Sequence, residues 1–144
     1  MRLEGQRAVV TGAAGALGRV IAETFAAEGA DDAGLDLDAA GLDATGELVR
    51  AQGRRWTSAA VDLTDFDAVQ EAVGKVVAEW GGVDVLLNGA GGGTVSPFHE
   101  TTYATWTTQM DRNLNSVFNV TRAVPRRCST STTAGSSTSP RSRQ

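Results

Sequence analysis

One loop constrains this chain more than any other feature. Thr11-Gly12-Ala13-Ala14-Gly15-Ala16-Leu17-Gly18 follows the short run Arg7-Ala8-Val9-Val10 and leads into a stretch where Leu17, Ile21, Ala22, Phe25 and Ala26 recur at helical spacing before Gly29. A short apolar run with β-branched residues, stopped by glycine, reads as a buried strand, and spacings of three and four read as one face of a helix. Glycines let the backbone turn tightly and approach a ligand, while the free N–H groups and positive dipole end of the following helix attract negative charge. In this setting the loop reads as a nucleotide-phosphate cradle, with a plain strand-to-helix turn as the alternative.

The remainder of the chain repeats the unit. A second strand is predicted over 33–37, weakened by Asp31, Asp32 and Gly34, then a helix over 39–51 and, after Gly53, a third strand over 56–61. Asp65 is positioned to cap a helix running to Trp80, with Phe66, Val69, Val73, Val76 and Val77 on its apolar side and Gly81-Gly82 closing it. A fourth strand over 83–87 ends in Asn88-Gly89-Ala90-Gly91-Gly92-Gly93. The spacing of Trp106, Met110, Leu114, Val117, Phe118 and Thr121 predicts a long amphipathic helix over 103–124. Strands alternating with helices imply an α/β fold with a parallel, doubly wound sheet.

Composition narrows the function classes. With 144 residues and 41% apolar content, the chain is of a size for one domain with one core. Residues 1–121 hold 8 basic and 17 acidic residues, a balance of −9, whereas the remainder holds 5 arginines and no acid. An acidic body repels phosphates and argues against nucleic acid as a partner. No apolar stretch approaches the roughly 18 residues of a membrane span or the apolar core of a secretory signal, so a soluble, cytoplasmic protein with no membrane partner is expected. Cys128 is the only cysteine, which excludes an intrachain disulfide and a cysteine-based zinc site, and no metal is expected. From Pro125 to Gln144, ten residues are Ser or Thr, four are Arg, and none is Val, Ile, Leu, Phe, Trp or Tyr. Such a segment buries too little apolar surface to offset its ordering entropy, so a folded region over 1–124 and a disordered basic tail over 125–144 are expected.

The loop Thr-Gly-Ala-Ala-Gly-Ala-Leu-Gly followed by Arg19 resembles the T-G-x-x-x-G-x-G loop of the short-chain dehydrogenase/reductase family, with Ala16 in place of the middle glycine and Gly15 displaced by one. The likeness covers about residues 3–124 and implies a Rossmann-like fold, here truncated after the fourth strand and its following helix. It implies a dinucleotide on Thr11, Gly12, Gly15, Leu17 and Gly18. Asp36, ending the second strand, then stands where such folds place an acid on the ribose hydroxyls; a carboxylate there repels a 2′-phosphate, so NAD is favoured over NADP. Asp62-Leu63 resembles the pair whose carboxylate accepts from the adenine amino group, with helix capping as the competing reading of Asp62. Asn88-Gly89-Ala90-Gly91 resembles the N-N-A-G motif, Gly89 replacing the second asparagine, which assigns Asn88, Ala90 and Gly91 to the cofactor site. Asn113-Leu114-Asn115-Ser116-Val117-Phe118 resembles N-L-x-x-x-F, which gives Asn113 a supporting catalytic role in bending its helix and holding a relay water. Arg112 stands at what is usually an apolar position.

In that family a tyrosine transfers the proton, made more acidic by a lysine four residues on and assisted by a serine. Tyr103 is the only tyrosine, Thr107 stands four places on, and the only lysine is Lys75, so no Tyr-x-x-x-Lys exists in this sequence. The resemblance therefore implies hydride transfer between a nicotinamide and an alcohol or ketone in a full-length relative, with this chain inactive. His99, beside Glu100 near Pro97, reads as an exposed loop residue rather than a substitute acid. The alternative is a non-catalytic, NAD-binding regulatory or interaction module whose basic tail engages an acidic partner. The change of character after Val124 reads either as out-of-frame translation or as a true tail. In the family's strand order 3-2-1-4, the apolar strand over 83–87 lies at an edge, and self-association is expected.

Overall fold

A computed structural model describes residues 1–125. The expected tail over 125–144 lies, apart from Pro125, outside the described residues. Strand β1 (Arg7–Thr11) leads through the glycine loop to helix α1 (Ala16–Ala27), followed by β2 (Asp31–Asp36), α2 (Ala39–Ala51), β3 (Trp56–Ala60), α3 (Phe66–Trp80) and β4 (Val85–Asn88). A 3₁₀ turn (Phe98–Glu100) precedes α4 (Tyr103–Met110), a π-helical segment (Asp111–Asn115) and α5 (Ser116–Ala123). The four strands pair in parallel in the order β3-β2-β1-β4. This is the doubly wound, Rossmann-like sheet that the alternation implies.

Side chains alternate across a strand, and β1 uses the alternation to build two cores. Val9 faces one layer with Ala33, Leu35, Val69, Val73, Val76 and Val120. Val10 faces the other with Ala13, Ala22, Ala26, Leu42 and Val49. Both layers converge on β1, so the loop that follows it is held from two sides. Helix ends follow local chemistry. Asp65 Oδ1 accepts from Ala68 N–H at 3.0 Å to start α3, and Gly81, in the left-handed region at φ 78°, ends it with its N–H on Val77 O at 2.8 Å.

Three expectations are corrected. The second strand begins at Asp31 rather than Ala33 and stops at Asp36, with Asp32 fully buried inside it. Asp31 can begin a strand because Arg55 binds it twice, from its backbone N–H at 3.0 Å and from its guanidinium at 2.8 Å. The fourth strand spans Val85–Asn88 rather than 83–87, because Val83 and Asp84 form a buried approach in which Asp84 binds Arg7. The stretch after residue 103 is not one uniform α-helix with its apolar stripe inward. Trp106, Leu114 and Phe118 are exposed, and the face turned to the core is Ser116, Asn119 and Val120. Its polar members act as brackets: Asn119 donates to Leu63 O at 2.9 Å, and Gln70 of α3 donates to Asn119 O at 3.0 Å.

Candidate functional site

The site begins at Gly12, where β1 must turn into α1. Gly12 adopts φ 69°, and a Cβ there would meet Gly89 O at 2.8 Å, so both its conformation and its contact with the loop after β4 require glycine. Gly18 sits one helical turn into α1, where a Cβ would lie 2.7 Å from the Gly12 carbonyl carbon. The backbone therefore folds onto itself with no side chain intervening. Gly15 is the N-cap of α1 and supplies no side-chain acceptor, so the first-turn N–H groups have no capping partner from a side chain. Those donors and the helix dipole face a cleft.

The cleft has a volume of about 690 Å³, within the range of roughly 300–1,000 Å³ usual for small-molecule sites. Gly12, Gly15, Leu17 and Gly18 line it from the first loop, Asp36 from the end of β2, Asp62 and Leu63 from the segment after β3, and Ala90 and Gly91 from the loop after β4. Nine of the residues singled out by sequence thus share one cavity at the carboxyl ends of the strands. Thr11 and Asn88 do not line it. Thr11 is buried, and its Oγ1 accepts from Gly89 N–H at 3.0 Å and Ala90 N–H at 3.1 Å, fastening the two glycine loops together. Asn88 points its amide to Thr121 Oγ1 at 3.3 Å, tying the end of β4 to α5.

Two carboxylates define one end of the cleft. Asp36 accepts from Ala14 N–H and Asp38 N–H, each at 3.1 Å, leaving further lone pairs on both oxygens. Asp62 does not cap α3, a role that Asp65 fills. Its Oδ1 accepts from the backbone N–H of Thr64 at 2.9 Å and from the Thr64 hydroxyl at 2.8 Å. These two bonds, with help from the charge of Arg112, hold the Asp62 carboxyl below its ordinary range.

Asn113 lies outside the cavity lining, in the π segment. Its amide hydrogens go to Gly92 O at 2.8 Å and Gln109 O at 2.9 Å, and its Oδ1 accepts from Gly92 N–H at 3.0 Å. The bond to Gln109 O places a side chain in the i−4 ladder, a recognised cause of local helix widening. Asn113 thereby fixes the loop after β4 at the mouth of the cleft.

Several contributors have weak sequence signals. Thr45 of α2 is buried and directs its hydroxyl to Ala13 O at 2.7 Å, bracing the glycine loop from behind. Asp38 caps α2 through Gly41 N–H at 3.1 Å, a role its place before Ala39-Ala40 makes legible. Thr108, Asp111, Arg112 and Ser116 line the wall that the α4–α5 region supplies. His99 is 82% exposed and reaches Glu100 at 3.6 Å, and Tyr103 is also exposed. Among the described residues no His, Cys, Asp and Glu cluster could hold a metal, and no helix is long and apolar enough to cross a membrane.

The chain is similar to known proteins in sequence and in fold. D-threitol dehydrogenase of Mycolicibacterium smegmatis is 36% identical over 126 residues, 88% of this chain and 48% of the relative. The 3-oxoacyl-[acyl-carrier-protein] reductase FabG of Escherichia coli is 35% identical over 126 residues, 88% of this chain and 50% of its own. The carveol dehydrogenase of Mycobacterium avium, solved in complex with NAD, superposes with a TM-score of 0.82 at 32% identity, over 85% of this chain and 49% of that one. The chain spans about half the length of the curated relatives it matches. The short chain dehydrogenase family model matches residues 6–136, and with that extent of match the chain belongs to the short chain dehydrogenase family.

Proposed function

We propose that this chain is the dinucleotide-binding part of an oxidoreductase that moves a hydride between a nicotinamide cofactor and an alcohol or ketone, with NAD preferred over NADP. The observation that carries the reading is the uncapped amino end of α1, set in a cleft whose glycines exclude side chains from the space a diphosphate needs. The N–H groups of Ala16, Leu17 and Gly18 would receive the diphosphate, Asp36 the ribose hydroxyls and Asp62 the adenine amino group. Leu17 and Leu63 supply apolar walls, while Ala90 and Gly91 close the β4 side. Thr11, Asn88 and Asn113 act on these loops rather than on the cofactor. The bound dinucleotide would supply hydride chemistry, and the residues of this chain bind and orient it.

The preference rests on charge. Asp36 lines the cleft, and a 2′-phosphate beside it would meet a carboxylate already engaged by two N–H groups. Calorimetry on the full chain should show tighter binding of NAD than of NADP, and Asp36→Ala should narrow the gap. Equal or tighter NADP binding would refute the Asp36 assignment. If a folded sample binds neither dinucleotide, the cradle reading fails.

By itself the chain should transfer no hydride. Lys75 is on α3, paired with Glu71 at 2.7 Å, and Tyr103 opens α4, so neither supports the other. Loss of a placed general acid costs roughly 10²- to 10⁴-fold. Near-ultraviolet absorbance should therefore show no NADH formation or consumption with a panel of alcohols and ketones. Turnover that persists through purification and vanishes in His99→Ala would establish an acid this reading omits.

A further inference from the structure

Arg112 is a cation on the wall of the cleft with no hydrogen-bond or ion-pair partner for its side chain among the described residues. It lines the same cavity as Asp36, Leu37, Asp62 and Leu63. Its backbone carbonyl accepts from the Ser116 hydroxyl at 2.7 Å, which fixes its place where the π segment passes into α5. Among the described residues its guanidinium makes no hydrogen bond and no ion pair. It is close enough to Asp62 for its charge to act on that carboxyl, yet the two are not in contact as an ion pair. The result is an exposed, planar cation on the wall of the cleft, near enough to Asp62 for its charge to be felt there, in a cavity that Leu37 and Leu63 also line.

We propose that Arg112 closes the purine end of this cleft, laying its guanidinium plane on the adenine ring of the bound dinucleotide at the end shared with Asp62 and Leu63. The inference rests on the dinucleotide reading above and adds the group that recognises the base. Three features favour a purine face. Arginine stacks on aromatic planes, because the charge meets the negative π-face and the flat guanidinium sheds its water at low cost. Asp62 retains acceptor capacity for the edge of the same base, so the two side chains address different parts of one ring. Asp36 and Asp62 make this end acidic, which disfavours an anionic group there and leaves a neutral base as the fitting occupant for the cation.

The test uses the full chain with Arg112→Met, which keeps the apolar stem and removes the charged plane, and Arg112→Lys, which keeps the charge without the plane. Titrations with NAD, NADP and AMP are followed by calorimetry, with the ligand-free melting temperature as a control. The expected result is that Arg112→Met weakens NAD and AMP by similar factors, about five- to thirtyfold for a stack of this kind, with an unchanged melting temperature. Arg112→Lys should recover only part of the loss. Unchanged NAD and AMP affinity in Arg112→Met would overturn the proposal. A loss confined to NADP would also overturn it, identifying Arg112 as a reader of the 2′-phosphate. Failure of the unmodified chain to bind any of the three would refute the dinucleotide reading as well, an outcome distinct from a selective failure of the variant.

Discussion

Asp32 occupies a position where an ionised group is costly. It is fully buried in β2, and neither carboxylate oxygen has a hydrogen-bond partner among the described residues. Burial first, and then the neighbouring charge of Asp31, push its carboxyl up to about 8, with Arg54 opposing them. An unfolded aspartate titrates near pH 3.9, roughly. The folded chain therefore holds an extra proton between about pH 4 and 8, and the stability from this group is full below that window and lost as pH rises through it. Groups held low act in the opposite sense. The carboxyl of Asp31 is raised by burial, but bonds from Arg55 and the charges of Arg54 and Arg55 bring it below its ordinary value; Asp62 is lowered by Thr64. Their contributions disappear only at acid pH, so the slope from about pH 5 to 8 belongs to Asp32. Urea unfolding should show a midpoint that falls across that range. Asp32→Val should flatten the slope and add about 1–3 kcal/mol at pH 8, the usual cost of a buried polar group without a partner. Equal midpoints at pH 5 and 8 in the unmodified chain would mean that the carboxylate has found a partner and that burial does not raise it.

At the scale of elements, Arg7 joins three of them through one side chain. Its Nε and Nη2 donate to the two oxygens of Asp84 at 2.8 and 3.0 Å, its backbone N–H reaches Asp84 Oδ2 at 3.0 Å, and its Nη1 reaches Trp80 O at 2.8 Å. The start of β1, the end of α3 and the approach to β4 are thereby locked in register. The side chains are only 16% and 3% exposed, so Arg7→Met would leave a buried carboxylate without its main partner. A loss of about 3 kcal/mol is expected by denaturant unfolding, with much of it restored when Asp84→Leu is added. A single-variant loss within about 0.5 kcal/mol, as at an ordinary surface position, would show that the clamp is dispensable. The element order was legible because it rests on local signals, such as the Asp65 cap, the Gly81 stop and the valines of α3. The start of β2 was not, because two consecutive acids look unlike a buried strand until Arg55 is seen to neutralise Asp31. The exposed stripe on α4 and α5 shows a second limit: periodicity reports that apolar residues share a face, not which way the face turns. The glycine loop was readable as a site from its place between a strand and a helix, whereas Asp36 at the end of β2 and Asp62 after β3 took their roles from the resemblance to the short-chain dehydrogenase/reductase family. Thr108 and Arg112 reach the cleft, and Thr45 the back of the glycine loop, only through tertiary packing, which no local pattern encodes.

For the whole molecule, the strand order places β3 and β4 at the two sheet edges, and these edges differ in character. β3 opens with Trp56 and continues with the small and polar residues Thr57, Ser58, Ala59 and Ala60, whereas β4 carries Val85, Leu86 and Leu87 in succession before Asn88, with no charged residue. Among the described residues β4 pairs only with β1, so its outer N–H and C=O groups face away from any strand. Such an edge is a template for a second chain, and charge or proline is the usual protection against it. Leu114 and Phe118 lie on the exposed side of the helix after β4, at 55% and 61% exposure, and add to the apolar surface. We therefore expect the 144-residue chain to self-associate at micromolar concentration. Light scattering should report a mass above that of one chain, and hydrogen exchange should show Val85 to Leu87 less protected than Val9 and Val10, which pair on both sides. Leu86→Lys at the edge should lower the association without unfolding α1 or β1, since Leu86 is only partly buried against its core layer. A sharp monomer with strongly protected amides in β4 would contradict this expectation, because protection in an edge strand requires partners for its outer groups, and in a monomer those partners must come from elsewhere in the same chain.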